Sequence, residues 1–352
     1  MSVGFGIIGT GLIAGMHAQA LAGVASARLV ACLSRDAERA GQFAKEHGCA
    51  AFSDLGAFLA HPGLDAVSIC TPSGAHLETA LAATAAGKHL FVEKPLEVTL
   101  ERCRRIVDAA DAAGVICSGV FQSRSLADVL LIKRALEQGR FGDVVIGDAI
   151  VKWVRPASYY QDSWHGTHVL DGGGALMNQS IHTIDLLQWL LGPVESVQAF
   201  TTRRAHAWLE VEDTAVAAVR FASGALGTIV GSTAIHPGFE RRIEIGGTAG
   251  SAVLVGDTIG EWRFSEETDA DQALRARRAD VDPDRGGASD PAGVGIAGHR
   301  RQYEEVTAAI LAGEAPDIDG RAATAAVAIV LAIYESARSG RPVTPEVPPP
   351  AS

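Results

Sequence analysis

Residues 3–14 read Val-Gly-Phe-Gly-Ile-Ile-Gly-Thr-Gly-Leu-Ile-Ala, and they decide the fold. An apolar run from Val3 to Ile8 stops at Gly9-Thr10-Gly11, and a helical segment begins at Leu12. Strand, tight glycine turn and helix is the order that seats a pyrophosphate on a helix N-terminus. The glycines allow the turn and the close approach of the phosphates, and the small Ala14 lets helix and strand pack. Gly9, Thr10, Gly11, Leu12 and Ile13 are therefore candidate cofactor residues, and dinucleotide binding is expected at this end of the chain.

Working outward, the same alternation recurs. Arg28 to Leu33, Asp65 to Ile69, His89 to Val92 and Val115 to Ser118 have the apolar runs of buried strands, and Asp36 to His47, Ala75 to Ala86 and Leu100 to Ala113 have helical spacing. This predicts an α/β doubly wound parallel sheet, a Rossmann domain over residues 1–123. Beyond a helix at Leu126 to Gln138 the texture changes. A strand at Val144 to Val154 and a helix at Gly174 to Leu191 precede runs at hairpin spacing: Val194 to Ala205, Val211 to Ala222, Ala225 to Ser232, Glu240 to Gly246 and Ser251 to Val255. Residues 124–340 are expected to form an α+β domain with a large, mainly antiparallel sheet. Its closing helices, His299 to Ala312 and Arg321 to Ser339, are free to pack back on the first domain. Glu266 to Gly298 shows no period and reads as a long surface loop, and residues 341–352 read as a disordered tail.

The 352 residues carry 41 acidic against 30 basic side chains, a formal net charge of -11. That balance repels phosphate backbones and anionic membrane surfaces, so no nucleic-acid or membrane partner is expected. The opening lacks the basic start and cleavage site of a signal peptide, and a cytoplasmic location is expected. The five cysteines include no CxxC pair and read as reduced thiols in the interior.

Two further patterns carry chemistry. The second strand ends Ser34-Arg35-Asp36, with Arg39 one turn into the next helix. A hydroxyl beside guanidinium groups suits a 2′-phosphate, whereas a carboxylate there would hold a ribose hydroxyl. Ser34, Arg35 and Arg39 thus favour NADP slightly over NAD, with Asp36 either an N-cap or a ribose ligand. The strand at His89 to Val92 runs into Glu93-Lys94-Pro95, which places Lys94 at the carboxyl edge of a parallel sheet, where such folds bind ligands. In the segment Asp171 to Gly192, Asn178, His182 and Asp185 fall at i, i+4 and i+7 and are expected on one helix face. His182 would take a proton from a carbinol, and Asp185 would orient or tune it.

Together, GTGLIA at 9–14, the block from Cys70 to Leu96 with its EKP motif, and GGGALMNQSIHTIDLL at 172–187 resemble the Gfo/Idh/MocA family of oxidoreductases over nearly the whole chain. The resemblance implies hydride transfer between NAD(P) and a secondary hydroxyl or keto group of a sugar, sugar derivative or cyclic polyol. It makes Lys94 and His182 catalytic. Asn178 stands where inositol dehydrogenase-like members carry an aspartate, and is left to orient a hydroxyl. It adds Thr71, Pro72, His76, Glu93, Lys94 and Gln122 to the cofactor side. The segment 151–174, similar to a cleft-lining stretch of the family, makes Lys152, Arg155, Tyr160, Trp164 and His165 substrate candidates. His165 and His168 match no metal pattern, and no metal is expected. The family also contains NAD-dependent glycosidases and non-catalytic sugar sensors, which stand as alternatives, and it implies a homodimer or homotetramer.

Overall fold

A computed structural model describes residues 2–161, 163–276 and 295–346. The first half builds six parallel strands: β1 (Val3–Ile8), β2 (Ala27–Leu33), β3 (Ala50–Phe52), β4 (Ala66–Ile69), β5 (His89–Val92) and β6 (Cys117–Gly119), in the order β3-β2-β1-β4-β5-β6. Strands β1 and β4, at the centre, are buried on every residue, as a sheet with helices on both faces requires. Gly9 ends β1 with φ +99°, and a Cβ there would stand 2.6 Å from the carbonyl oxygen of Cys70. Only glycine fits.

The second half forms a seven-stranded sheet from β7 (Val144–Val154), β8 (Val194–Thr202), β9 (Thr214–Phe221), β10 (Leu226–Ser232), β11 (Ala234–Gly247), β12 (Gly250–Val255) and β13 (Thr258–Phe264). Its order is β13-β12-β11-β7-β10-β9-β8, antiparallel throughout except for the parallel pair β7 and β10. One face packs on helices Ile181–Leu191 and Gly320–Ser339. The latter is long and apolar enough to cross a membrane, but Ala326, Val327, Val330 and Ile333 are buried in the core of this fold. Among the described residues, none covers the opposite face. Phe200 and Val216, Val216 and Val230, and Val230 and Ile150 are register partners, and they draw an apolar row across β8, β9, β10 and β7 in which Phe200 is 80% exposed.

The helix Ala297–Ala312 leaves the second half and completes the first. Its Tyr303 is fully buried among Phe5, Leu21, Phe91 and Val120, and Gln302 donates to the carbonyl of Gly119. Edge strand β6 is further covered by Asp319, which bridges to Ser118.

The structure departs from the sequence reading in several places. β3 is only three residues long, and in β13 a register shift opposite Val253 and Leu254 breaks the two-residue alternation that would have exposed it. Within the expected loop, Asp269–Ala276 is a helix, anchored where Asp271 accepts from Arg140 and from the Trp262 indole; the stretch 277–294 lies outside the described residues. Val343, within the stretch read as a disordered tail, exchanges both backbone hydrogen bonds with Val197 on the free edge of β8. Residues 347–352 lie outside the described residues.

Candidate active site

An elongated cleft of about 2070 Å³ runs from the glycine turn, along the carboxyl ends of β1, β2, β4 and β5, to the helix that follows Gly174. It is about twice the upper end of an ordinary small-ligand pocket, enough for two ligands end to end. Gly9, Thr10, Gly11, Leu12 and Ile13 line one end. Gly11 precedes the helix Leu12–Ala22 with no side chain among the described residues capping its first amides, and a Cβ at Gly11 would meet nothing within 4 Å. Uncapped amides above open space are a phosphate cradle, so these residues fit the dinucleotide that the motif implies.

Ser34, Arg35 and Arg39 line the adjoining wall with Asp36. The Asp36 carboxylate accepts from the backbone amides of Glu38 and Arg39, at 3.0 and 3.2 Å, as the N-cap of Ala37–His47. Thr71, Pro72, Glu93, Lys94 and Gln122 also line the cleft. His76 does not: it is fully buried, with Nδ1 against the carbonyls of Pro95 and Leu96 and Nε2 against that of Thr71. It braces the two cleft loops and leaves no atom for a cofactor.

β5 delivers Lys94 across the cleft to the second domain. Its Nζ donates to the backbone oxygen of Asn178 at 2.8 Å and to Asn178 Oδ1 at 3.4 Å. Burial presses the ammonium pKa below its usual value, against the charges of Glu93 and Asp171; Arg155 adds to the lowering. His182 lines the same part of the cleft, edge-on to Phe121, and its Nδ1 is buried with no hydrogen-bond partner among the described residues. Burial, and then the Lys94 charge, hold its pKa well below the ordinary histidine value, so the ring is neutral at neutral pH.

Residues Ala175–Ser180 wind as a wider π turn before the α-helix Ile181–Leu191. Glu212 fixes this start: it accepts from the amides of Gly174 and Leu176 and from the Tyr334 hydroxyl, and a Cβ at Gly174 would stand 1.7 Å from the Glu212 carbonyl oxygen. The wide turn breaks the expected polar ridge. Asn178 meets Lys94, but Asp185 is completely buried and takes a two-pronged ion pair from Arg124, Nε at 2.8 Å and Nη2 at 2.5 Å. Asp185 is thus neither catalytic nor a partner of His182.

Under Lys94 lies a buried polar cluster. Glu93 accepts from the Lys94 backbone amide at 3.0 Å and meets His17 Nε2 at 2.9 Å, while His17 Nδ1 meets the Tyr303 hydroxyl, itself 2.6 Å from Ser68 Oγ. Burial alone would raise the pKa of the Glu93 carboxyl. The His17 hydrogen bond and the charges of His17, His299 and Lys94 overcome that and bring its pKa to about 2.

On the substrate side, Arg155, Trp164 and His165 line the cleft as expected. Lys152 does not, because it falls on the open face of the sheet, register partner of Ser232 and Phe239. Tyr160 is buried and donates to Thr233 Oγ1 at 3.1 Å; its neighbour Tyr159 takes the cleft position, stacked on His165 at 4.4 Å between ring centres. Trp153 and Gln179, which sequence reasoning missed, also line it. The strand alternation carried the signal for Trp153, since it sits between Lys152 and Val154 and faces away from Lys152. The Arg155 guanidinium lies over Trp153 and Tyr159, 5.0 and 5.7 Å from their ring centres.

A glycine-turn cradle joined by one cleft to a lysine and a neutral histidine defines a dinucleotide-dependent oxidoreductase. The profile of the oxidoreductase family's NAD-binding Rossmann fold matches residues 3–121, and that of the GFO/IDH/MocA C-terminal domain matches residues 129–253. The chain belongs to the Gfo/Idh/MocA family. The 1,5-anhydro-D-fructose reductase of Ensifer adhaerens is 30% identical over 257 residues, 71% of this chain and 74% of that protein. Inositol 2-dehydrogenase of Rhizobium meliloti is 29% identical over 256 residues, 71% of this chain and 75% of that protein. The crystal structure of the WlbA dehydrogenase of Bordetella pertussis, in complex with NADH and UDP-GlcNAcA, superposes with a TM-score of 0.85 at 36% identity, over 97% of each chain.

Proposed function

We propose that this protein oxidises, or forms by reduction, a secondary alcohol on a sugar ring, with Lys94 and His182 as the groups at the reacting oxygen. The observation that carries the reading is their convergence from two domains on one stretch of cleft: a part-buried ammonium that can only donate, beside an imidazole kept neutral. Bound nicotinamide supplies the hydride chemistry. Lys94 holds the substrate hydroxyl by hydrogen bond and stabilises negative charge as its proton leaves, and His182 takes that proton. Arg155, set on its aromatic shelf at the cleft wall, is the group suited to a sugar carboxylate. Because the Bordetella dehydrogenase was solved with a nucleotide-linked sugar acid, that class leads the substrates to test, followed by free uronic acids, inositols and neutral sugars.

The ribose end suits NADP, since Asp36 is committed to its helix cap and leaves Ser34, Arg35 and Arg39 to meet a 2′-phosphate. The apolar row led by Phe200 supports a homodimer or homotetramer joined through the open sheet face. Five free cysteines fit a cytoplasmic, reducing setting. The deciding experiment is turnover of the substrate panel by wild type and Lys94→Met. Loss of kcat/KM by more than about a thousandfold is expected. Activity within about tenfold of wild type would refute the assignment.

A further inference from the structure

We infer that Asp171 is a positioning residue, the counter-ion of the Lys94 ammonium at one remove, acting through the side-chain amide of Asn178. The inference rests on the reading of Lys94 given above.

The direct partners of Lys94 Nζ, the two oxygens of Asn178, are both neutral. The amide of Asn178 can stand only one way. A lysine only donates and a carboxylate only accepts, so Oδ1 must face Lys94 and Nδ2 must face Asp171. The contacts agree: Nδ2 donates to Asp171 Oδ1 at 2.6 Å and to His165 Nδ1 at 3.1 Å. Its dipole therefore runs from carboxylate to ammonium, with the positive end on Asp171 and the negative end on Lys94. Asp171 is fixed for this task. It is 2% exposed, and Oδ2 accepts from the Gly166 amide at 2.8 Å and lies 3.7 Å from His165 Nδ1.

Asp171 does not line the cleft, so it acts through Asn178 and not on substrate. The charged and titratable groups facing Lys94 are Glu93 from the end of β5, Arg155 from the end of β7, His182 from the helix Ile181–Leu191, and Asp171 from the glycine segment. The two carboxylates differ in reach. Glu93 is spent on the Lys94 backbone amide and on His17, whereas Asp171 is wired to the ammonium's own acceptor. A negative charge nearby favours the ammonium, so neutralising Asp171 must lower the pH at which Lys94 loses its proton.

The test needs no substrate. Competitive acetylation of Lys94 by acetic anhydride, followed by mass spectrometry from pH 6 to pH 11, reads the titration midpoint of this one side chain in the full-length protein. Asp171→Asn should lower the midpoint by at least about 0.5 unit, less than the 1–3 units of a charge in direct contact. Asp171→Asn/Asn178→Asp, which moves the carboxylate one step inward, should bring it back to the wild-type value or above. Should Asp171→Asn not fold, Asn178→Leu keeps the carboxylate and breaks the bridge, and its midpoint must also fall. An unchanged midpoint in a folded Asp171→Asn protein, in Asn178→Leu, or no recovery in the double variant, overturns the inference. Failure of the dehydrogenase reading would show elsewhere, as turnover that survives Lys94→Met.

Discussion

Replacing Asp185 by leucine separates two roles that its position in the sequence leaves confused. The carboxylate is wholly buried and accepts two hydrogen bonds from Arg124, whose side chain is only 7% exposed. Burial pushes the Asp185 pKa up, and Arg124 is the group that opposes the rise. Asp185→Leu therefore strands a guanidinium in the interior, a loss of about 3–5 kcal/mol for a broken buried pair. An unfolding entropy of about 2.1 cal/mol/K per residue over the 352 residues gives ~0.74 kcal/mol/K, so Tm should fall by roughly 4–7 °C. Calorimetry at fixed pH reads this directly. Arg124→Met combined with Asp185→Leu should recover much of it, because a buried ion pair replaced on both sides by apolar groups is close to neutral. Turnover below the melting range should stay within about threefold of wild type, under 1 kcal/mol of barrier. An unchanged Tm with a hundredfold loss of kcat would refute the argument and return Asp185 to the catalytic set.

Arg39→Ala should weaken NADP+ roughly ten- to hundredfold, the worth of one charge-assisted hydrogen bond, and leave NAD+ within about threefold; fluorescence titration of both cofactors decides, and equal losses count against a 2′-phosphate site. Glu212 supplies a pH signature. Burial raises its pKa from 4.5 to about 7 in the fold, in spite of the hydrogen bonds from Leu176, Tyr334 and Gly174. A carboxyl raised by folding adds stability that is complete below the unfolded pKa and is lost as pH rises through the folded one. Unfolding free energy should thus fall between about pH 4.5 and 7 by an amount on the order of 3 kcal/mol. Urea midpoints across that range check it, and Glu212→Gln should flatten the slope.

Much of the parallel half was legible because its central strands are buried runs closed by a turn signal, and β1 and β5 span the residues their apolar runs predict. β13 was not, since a register shift erased its alternation, and β3 offers three residues to read. In the cleft, Lys94 could be placed because motif and sheet edge agree, and His182 because its motif falls on the helix that lines the same cleft. Asp185 misled because regular helical spacing was assumed where the chain makes a π turn, and spacing says nothing of Arg124 arriving from 61 residues away. Tyr159 and Tyr160 are adjacent, and only packing decides that Thr233 receives the hydroxyl of one while His165 stacks on the other. Asp171 was invisible for a similar reason: its importance lies in an amide between it and the lysine, not in any motif.

The position of Tyr303 has a consequence for synthesis. A ribosome that has delivered all six strands of the first sheet has not yet delivered the ring that fills the space between Phe5, Leu21 and Phe91, nor Gln302 and Asp319 to cover the edge of β6. At about 5–20 residues per second, the nearly two hundred residues between Gly119 and Asp319 take on the order of 10–40 s to emerge. For that interval the nascent cofactor domain lacks the ring that fills this part of its core and the cover over β6, whose unpaired backbone groups are a template for pairing with another strand. Here the order of translation runs against the order of completion.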